Sequence, residues 1–290
     1  MSEYVIITDS ATDLNQELVD KANVHVVPLS FVIDGNTYHD FTDHREMEPK
    51  VFYDMLRNKH TATTNAVNVN EYVEAITPYL NEGKDALLIV FSSGLSSTYS
   101  SAVIAAESLR EEYPDRKILV VDSLSASMGQ GLLVWLAAKE KEKGKTIDEV
   151  CSWVEENKLK ICHKVTVDDL DFLKRGGRIS GVSAAVGGVL NIKPMIHVDN
   201  EGRLINIQKV RGRKASLKTL VEMMKESAFK NIKQTVFISH GDCIEDVQYV
   251  CELVKENFSD AEIFINYIGP VIGAHTGPNV VALFYQGEPR

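Results

Sequence analysis

Short apolar runs and helix-spaced apolar positions alternate along the first half of the chain. Residues 86–90 (Ala-Leu-Leu-Ile-Val) are typical of a strand buried on both faces, whereas Leu132, Leu133 and Leu136 have the spacing of one helix face. Because such segments alternate, we predict an α/β fold with a mostly parallel sheet and helices on both of its faces. The predicted strands are 4–8, 24–27, 29–33, 86–91 and 118–122, and the predicted helices are 51–57, 71–80, 97–112, 129–143 and 147–157.

The second half of the chain has a less regular pattern. The turn sequence at 199–202 (Asp-Asn-Glu-Gly) separates two strand-like runs, which indicates an antiparallel pair. We therefore predict an N-terminal α/β lobe over 1–160 and a C-terminal α+β lobe over 161–290. We expect the lobes to pack closely, because no linker rich in Pro, Gly or Ser separates them. The predicted strands are 161–167, 194–198, 204–210, 235–240, 263–268 and 279–285, and the predicted helices are 215–226 and 245–258.

Length and composition indicate a globular protein that is not embedded in a membrane. The chain has 290 residues, of which 44% are hydrophobic and 25% charged, as in ordinary soluble domains. Its apolar runs are far shorter than the roughly 20 residues of a membrane span. The first residues enter a strand without a basic segment or a cleavage site, and the four cysteines form no CxxC pair. We therefore expect a cytoplasmic protein with free thiols.

The charge is unevenly distributed. The formal net charge is −10, yet residues 174–214 carry nine basic and two acidic residues. An acidic protein with one basic stretch is not typical of a general nucleic-acid binder, and favours a local site for an anion or an acidic partner. Arg175 and Arg178 flank two glycines that let a ligand approach the backbone, although a solvated turn is the alternative. Arg211 belongs to a second basic group, for which an acidic partner and an exposed charged face are equally supported.

Hydroxyl groups concentrate where the predicted strand 86–91 turns into the helix 97–112. The turn contains Ser93 and Gly94, and serines fill the first turn of the helix. Backbone N–H groups and serine hydroxyls converge there, as in sites for a carboxylate or a phosphoryl group. No base is adjacent in the sequence, so we favour binding over catalysis. The hydroxyl-rich loop 60–65, with Thr63 and Thr64, offers further donors to the same anion.

Several other segments have both a chemical and a structural interpretation. His275 lies in the loop 269–278, bounded by Gly and Pro, and is either a buried structural histidine or a donor to an anion. For Asp9 we favour a role near a helix cap, with Ser10 as the N-cap and Asp13 near N3, over a nucleophile or metal ligand. Residues 143–146 imitate a phosphate-binding loop but lack its first glycine. The histidines lack metal-ligand spacing, so we expect no metal.

Taken in order, these motifs resemble the DegV family of bacterial fatty-acid-binding proteins over nearly the whole chain. The resemblance implies two α/β domains with a long-chain fatty acid, such as palmitate, in a tunnel between them and no other cofactor. The motifs that carry it are Thr8-Asp9-Ser10 with Asp13-Leu14, Ser92 to Ser96 with Thr98-Tyr99, Val121-Asp122-Ser123 with Gly129-Gln130-Gly131, 173–180, 190–194, Arg211-Gly212-Arg213, Ser239 to Asp242, and Ile268-Gly269-Pro270 with His275 to Pro278.

The resemblance also implies roles for individual residues. The carboxylate is expected at Ser93, beside Gly94, with help from a Thr-Ser-x-Pro motif. That motif matches residues 63–66 here, so Thr63 and Thr64 become candidates, and Ala66 replaces the proline. The family histidine matches His275. The arginine–glycine loop matches Arg175 and Arg178, which together with Arg211 form the expected surface for a partner or a phosphate.

Three functions of different classes follow, namely a carrier, a hydrolase, and a pure interaction or regulatory protein with an empty cleft. Relatives of the kinase-partner type present the fatty acid to a separate fatty-acid kinase, which makes an acyl phosphate for phospholipid synthesis. We expect this chain to be such a non-catalytic carrier, without a nucleic-acid partner. A transient contact with a membrane surface is left open. The alternative is a serine-dependent lipid or ester hydrolase that uses Ser93 as the nucleophile and His275 as the base, although the G-x-S-x-G elbow is missing.

Overall fold

The computed structural model of the chain describes residues 3–168, 170–179, 191–288 and 290. Within these residues the strands form a four-stranded, a three-stranded and a six-stranded sheet. The strands are β1 (Tyr4–Asp9), β2 (Val24–Val27), β3 (Ser30–Ile33), β4 (Asn36–His39), β5 (Ala62–Asn65), β6 (Asp85–Val90), β7 (Ile118–Asp122), β8 (Ile161–Thr166), β9 (Ile192–Val198), β10 (Leu204–Arg211), β11 (Thr235–His240), β12 (Glu262–Tyr267) and β13 (Val281–Gln286).

Helices cover the sheets and connect most of their strands. The α-helices are α1 (Gln16–Ala22), α2 (Pro49–Arg57), α3 (Val69–Asn81), α4 (Thr98–Glu112), α5 (Met128–Glu142), α6 (Ile147–Asn157), α7 (Asp171–Arg175), α8 (Arg213–Ser227), α9 (Ile244–Asn257) and α10 (Pro270–Thr276).

The four-stranded sheet is parallel throughout and has the order β2-β1-β6-β7. All residues of β1 and β6 are buried, which explains why their sequences are mostly apolar. The chain leaves β1 for β2 on one side and later returns to β6 on the other side. This reversal opens a crevice beyond the carboxyl ends of the strands, where ligands of such sheets bind. The predicted parallel α/β sheet is confirmed.

The three-stranded sheet has the order β4-β3-β5 and is antiparallel. Its central strand β3 was predicted, but β4 and β5 were not, and the prediction of 60–65 as a plain loop was wrong. Both missed strands have four residues and almost no apolar side chains. They are strands because their backbones pair with β3, whose Phe31 and Ile33 are buried.

The six-stranded sheet is mixed and has the order β10-β9-β8-β13-β11-β12. Strands β9 and β10 form the predicted antiparallel hairpin, with a bulge between Asn206 and Gln208. The β8–β13 and β11–β13 pairs are also antiparallel, and β11–β12 is parallel. The second half is therefore an α+β arrangement, as predicted.

Helix α5 lies between the four-stranded and six-stranded sheets. Its side chains are buried almost all round, and Leu132 belongs to one core cluster with Ile6 of β1 and Phe284 of β13. Two glycines allow the close approach. A Cβ on Gly129 would lie 2.1 Å from His163 Nε2, and one on Gly131 would lie 2.8 Å from the Thr12 carbonyl. A shared core thus joins the two halves, and the lobe boundary near residue 160 stays a prediction.

Two local predictions need correction. Asp9, and not Ser10, caps the first short turn, because its Oδ1 accepts a hydrogen bond from the Ala11 N–H at 3.1 Å, while Asp13 has a left-handed backbone. Ser10 Oγ accepts instead from the Leu29 N–H at 2.9 Å.

The segment 269–278, predicted as a loop, contains helix α10. Residues 143–146 join α5 and α6, as expected, and Thr146 caps α6.

Candidate ligand cavity and head-group site

A cavity of about 210 Å³ lies beyond the carboxyl ends of the parallel strands. The segments after β2, β6 and β7 contribute Leu29, Phe91 and Ser127 to its wall. Strands β8 and β9 of the six-stranded sheet contribute Val165 and Ile196. The cavity therefore occupies the crevice that the strand order creates, and both halves of the chain enclose it.

Most of the cavity wall has no hydrogen-bonding capacity. Of the 26 described residues that line it, 17 are apolar, including Val167, Leu173, Leu204, Ile272 and Val280. Such a wall excludes water and favours an alkyl chain, which gains about 0.8 kcal/mol for each CH₂ that it buries. The cavity is thus suited to a hydrocarbon.

A polar cluster interrupts this wall. Thr64 on β5 and His275 on α10 both line the cavity, and Thr64 Oγ1 lies 2.8 Å from His275 Nε2. Burial, together with the nearby charge of Arg178, lowers the pKa of His275 to about 4. The imidazole is therefore neutral near pH 7, with one nitrogen that donates and one that accepts. A neutral histidine paired with a hydroxyl can donate a hydrogen bond to an anion without contributing a charge.

Arg178 supplies a positive charge to the same cluster. Its side chain is half-buried and lines the cavity. The guanidinium donates from Nε to the Leu95 carbonyl at 3.3 Å and from Nη1 to the Gly176 carbonyl. Gly176 also lies against the histidine, since a Cβ there would be 2.2 Å from His275 Nδ1. The arginine, the glycine and the histidine therefore form one contiguous group.

Two serines at the start of α4 complete the polar wall. Ser96 and Ser97 line the cavity, and Ser97 immediately precedes the helix. Ser96 Oγ accepts a hydrogen bond from the Thr98 N–H at 3.2 Å and lies 2.9 Å from Thr98 Oγ1. The amino end of a 15-residue helix carries a partial positive charge. The hydroxyls and the helix end both favour a bound carboxylate.

Comparisons with known proteins agree with this arrangement. A family model described as an uncharacterised protein of the DegV family matches residues 3–288. The chain belongs to the DegV family. A DegV domain-containing protein of Clostridium perfringens is 46% identical over 290 residues, which cover 100% of this chain and 99% of the relative. The family resemblance predicted from the motifs is confirmed.

Solved structures share the whole fold of this DegV-family chain. The structure of a fatty-acid-binding DegV family protein from Thermus thermophilus is 28% identical, with 99% of this chain and 100% of that one covered and a TM-score of 0.87. The structure of a stearic-acid-binding protein from Eubacterium ventriosum is 26% identical, with 99% of each chain covered and a TM-score of 0.88. The two-part α/β architecture is therefore that of the family.

Three of the predicted head-group residues of this DegV-family chain are exposed and lie outside the cavity lining, namely Thr63, Ser93 and Gly94. The Ser93 N–H donates to Asp122 Oδ1 at 3.2 Å. Gly94 packs on the β9–β10 turn, where a Cβ would lie 2.6 Å from the Glu201 carbonyl. The turn thus packs Gly94 on the hairpin and places its later serines, 96 and 97, at the cavity.

This geometry does not bring together the pair that the hydrolase alternative needs. His275 Nε2 has Thr64 as its hydrogen-bond partner, and Ser93 is outside the cavity that His275 lines. Among the residues that the structure describes, no group of three potential metal ligands is found. The same described ranges contain no helix long and apolar enough to cross a membrane.

The predicted arginines lie in different environments. Arg178 lines the cavity, whereas Arg175 is exposed and its guanidinium lies 4.5 Å from the centre of the Phe172 ring. Arg211 is exposed at the end of β10. Ser180 and residues 181–190, part of the basic stretch and of the family motifs, lie outside the described residues.

Several cavity residues were not predicted from the sequence. His163 on β8 is buried in the wall, where its Nδ1 lies 3.0 Å from the Ile161 carbonyl and burial lowers its pKa well below the usual value. Ser127, before α5, was also missed. Ser96 was not singled out as a cavity residue, although it belongs to the serine-rich turn that was recognised. The sequence signal for Ser96 was present, but it did not distinguish one hydroxyl of the turn from another.

Proposed function

We propose that this chain binds a long-chain fatty acid, with its hydrocarbon in the apolar cavity and its carboxylate at the polar cluster. Thr64, His275, Ser96 and Arg178 are the proposed head-group ligands. The observation that carries the proposal is the Thr64–His275 pair, a neutral donor site set in a mostly apolar wall. Two solved structures with more than 25% identity to this chain, of which the one from Thermus thermophilus is a DegV family protein, are named for binding a fatty acid and stearic acid.

The energetics favour a fatty acid over a small polar anion. A 16-carbon chain gains about 10 kcal/mol, before the costs of association, when its methylene groups are buried. A carboxylate left without partners at the end of that chain would cancel much of the gain. Hydroxyls, a neutral imidazole and one guanidinium can satisfy its oxygens. The cavity wall and the polar cluster thus act on the two parts of one amphipathic ligand.

We further propose that the chain is a carrier, which presents the acid to a separate fatty-acid kinase. In that step a carboxylate oxygen attacks the γ-phosphorus of ATP held by the kinase, and the bond to the ADP oxygen breaks. The product, an acyl phosphate, would feed phospholipid synthesis. Arg175, exposed on the segment that also supplies Arg178 to the cavity, supports a partner surface near the head group. A cytoplasmic location and a transient membrane contact stay predictions.

The experiment compares stearic acid with stearyl alcohol on delipidated protein by isothermal titration calorimetry. The proposal predicts one acid bound per chain and binding of the alcohol that is weaker by about tenfold or more, since charge-assisted hydrogen bonds are lost. Equal affinities for the acid and the alcohol would show that the carboxylate does not contribute to binding. Absence of binding would reject the lipid-carrier function.

A second experiment tests the partner. Loaded protein, ATP and a purified fatty-acid kinase are incubated with hydroxylamine, which traps an acyl phosphate as the hydroxamate. The carrier proposal predicts hydroxamate only when all three components are present. Hydrolysis of a nitrophenyl ester by the protein alone, abolished by Ser93→Ala, would favour the hydrolase instead.

A further inference from the structure

Two buried carboxyl groups converge on the amino end of α10, the helix that carries His275. Asp13 and Asp40 are only 5% and 6% exposed, and they lie outside the cavity lining. Asp13 Oδ1 accepts a hydrogen bond from the Gly269 N–H at 2.9 Å. The Val271 N–H interacts with the Asp40 carboxyl. Both groups therefore lie at the amino end of α10, Asp13 on the N–H of Gly269 just before the helix and Asp40 against the Val271 N–H of its first turn.

The fit around Gly269 shows how close this contact is. A Cβ on Gly269 would lie 2.9 and 3.1 Å from the two carboxyl oxygens of Asp40 and 3.0 Å from Asp13 Oδ1. The φ of Gly269 is −64°, which any residue adopts, so the glycine is required for space. Asp13 precedes β2 and Asp40 follows β4, so both residues are far from α10 in the sequence. They converge on Gly269, the residue that immediately precedes α10.

Asp13 also connects α10 to another part of the cavity wall. Ser127, which lines the cavity, donates from Oγ to Asp13 Oδ2 and lies 2.9 Å from Ser239 Oγ. The Asp13 carbonyl accepts from Asn266 Nδ2 at 2.8 Å. The carboxyl thus joins the turn before α5 to the start of α10. Asp40 Oδ2 is buried without a hydrogen-bond partner among the described residues.

Burying two carboxyl groups at the start of α10 has a cost in folding free energy, which a purely apolar contact there would not have. Burial raises the pKa of both groups, and the charge of Asp40 raises that of Asp13 further. An apolar pair of the same size would avoid this cost. Carboxyl oxygens, however, can accept from the backbone donors of a helix end, which fixes the helix along its axis.

We propose that Asp13 and Asp40 are positioning residues for the head-group site, which hold the amino end of α10 and thereby fix His275 against Thr64. This inference rests on the proposed function only in one respect, namely that its first test measures the binding of stearic acid. Neither carboxyl lines the cavity, so both act through the position of the histidine.

A double-mutant cycle tests this coupling. Stearic acid affinity is measured for the wild type, Asp40→Ala, His275→Ala and the double variant. We expect Asp40→Ala to weaken binding about tenfold in the wild type and less than about twofold when His275 is already absent, because coupled residues are non-additive. Asp43→Ala, at an exposed position three residues further on, is the matched control and should leave the affinity unchanged. Equal losses in both backgrounds, or no loss in either, would overturn the inference.

A measurement without ligand separates this inference from the proposed function. The NMR signal of the His275 ring is compared in the ligand-free wild type and in Asp40→Ala and Asp13→Asn. We expect both variants to shift or broaden it, while the signal of exposed His60 stays in place.

If the wild type binds no stearic acid but the His275 signal changes in the variants as expected, the lipid function fails and the positioning role stands. If Asp40→Ala shows no cooperative unfolding transition, Asp40→Asn replaces it in both experiments, with the same directions and smaller effects. An unmoved His275 signal in the folded variants would overturn the role.

Discussion

Thr64 Oγ1 and His275 Nε2 lie 2.8 Å apart, although 211 positions separate the two residues in the chain. The contact joins β5 of the small sheet to α10 at the edge of the cavity. Because burial lowers the pKa of His275 to about 4, the pair is uncharged near pH 7. Such an uncharged pair can provide hydrogen bonds to the carboxylate of the proposed ligand, and Arg178 can provide the charge.

The hydroxyl of Thr64 can be removed with little change in shape. We expect Thr64→Val to weaken stearic acid binding about tenfold, since a hydrogen bond to a charged group contributes roughly 1.5–3 kcal/mol. Thr63→Val is the matched control, because Thr63 is the neighbouring residue of the same strand and is exposed. Calorimetric titration measures both. Equal losses for the two variants would mean that the strand, and not the Thr64 hydroxyl, determines binding.

The two serines of the turn can be distinguished in the same assay. We expect Ser96→Ala to reduce the affinity several-fold and to lower the free energy of unfolding by about 1 kcal/mol, because Ser96 Oγ also accepts from the Thr98 N–H. Ser93→Ala should change neither quantity, since Ser93 is exposed and outside the cavity. The reverse order of effects would restore Ser93 as the ligand that the family resemblance implies.

A substitution at Gly176 displaces the histidine without changing any charge. A Cβ there would lie 2.2 Å from His275 Nδ1, so the ring must move away. We expect Gly176→Ala to weaken stearic acid binding about tenfold, as a lost hydrogen bond to a charged group would. Lys174→Ala, an exposed position on the same segment, serves as the control. An unchanged affinity for the glycine variant would show that the ring position is unimportant.

Asp40 should make stability depend on pH. Burial raises its pKa from 3.8 to about 7 in the folded protein, so the folded state holds this proton more tightly than the unfolded state. The resulting stability is complete below the unfolded pKa and is lost as the pH rises through 7. Asp40→Asn cannot ionise. Its free energy of unfolding, relative to the wild type, should therefore rise between pH 5 and pH 8 by roughly 2 kcal/mol.

Urea denaturation at the two pH values measures this difference. Asp43→Asn is the control, because Asp43 is exposed and pairs with Arg45. Its free energy of unfolding relative to the wild type should be the same at pH 5 and pH 8. A constant difference for Asp40→Asn as well would mean that Asp40 is already ionised in the folded protein at pH 5.

The parts of the fold that could be predicted are those in which local apolar patterns coincide with burial. Strand β6 and helix α4 have such patterns, and the serine-rich turn between them was found. Strand β5 and helix α10 were missed because one is polar and the other begins at Gly-Pro. Each forms through pairing or packing with distant segments. Yet these two elements carry Thr64 and His275.

The choice among similar residues was also beyond the sequence. Ser93 and Ser96 have nearly the same local context, yet only Ser96 lines the cavity, and Gly94 between them packs on the β9–β10 turn from the other half of the chain. Arg175 and Arg178 differ in the same way, since only Arg178 reaches the cavity wall. Composition and spacing indicate the chemistry of the site, whereas the orientation of each side chain depends on tertiary contacts.

A crystal structure of the delipidated protein soaked or co-crystallised with stearic acid tests the central claim most directly. The account predicts an alkyl chain inside the cavity and a carboxylate oxygen within about 3.2 Å of Thr64 Oγ1 or His275 Nε2. A carboxylate bound beside Ser93, or a cavity without the acid while the acid binds elsewhere, would contradict it.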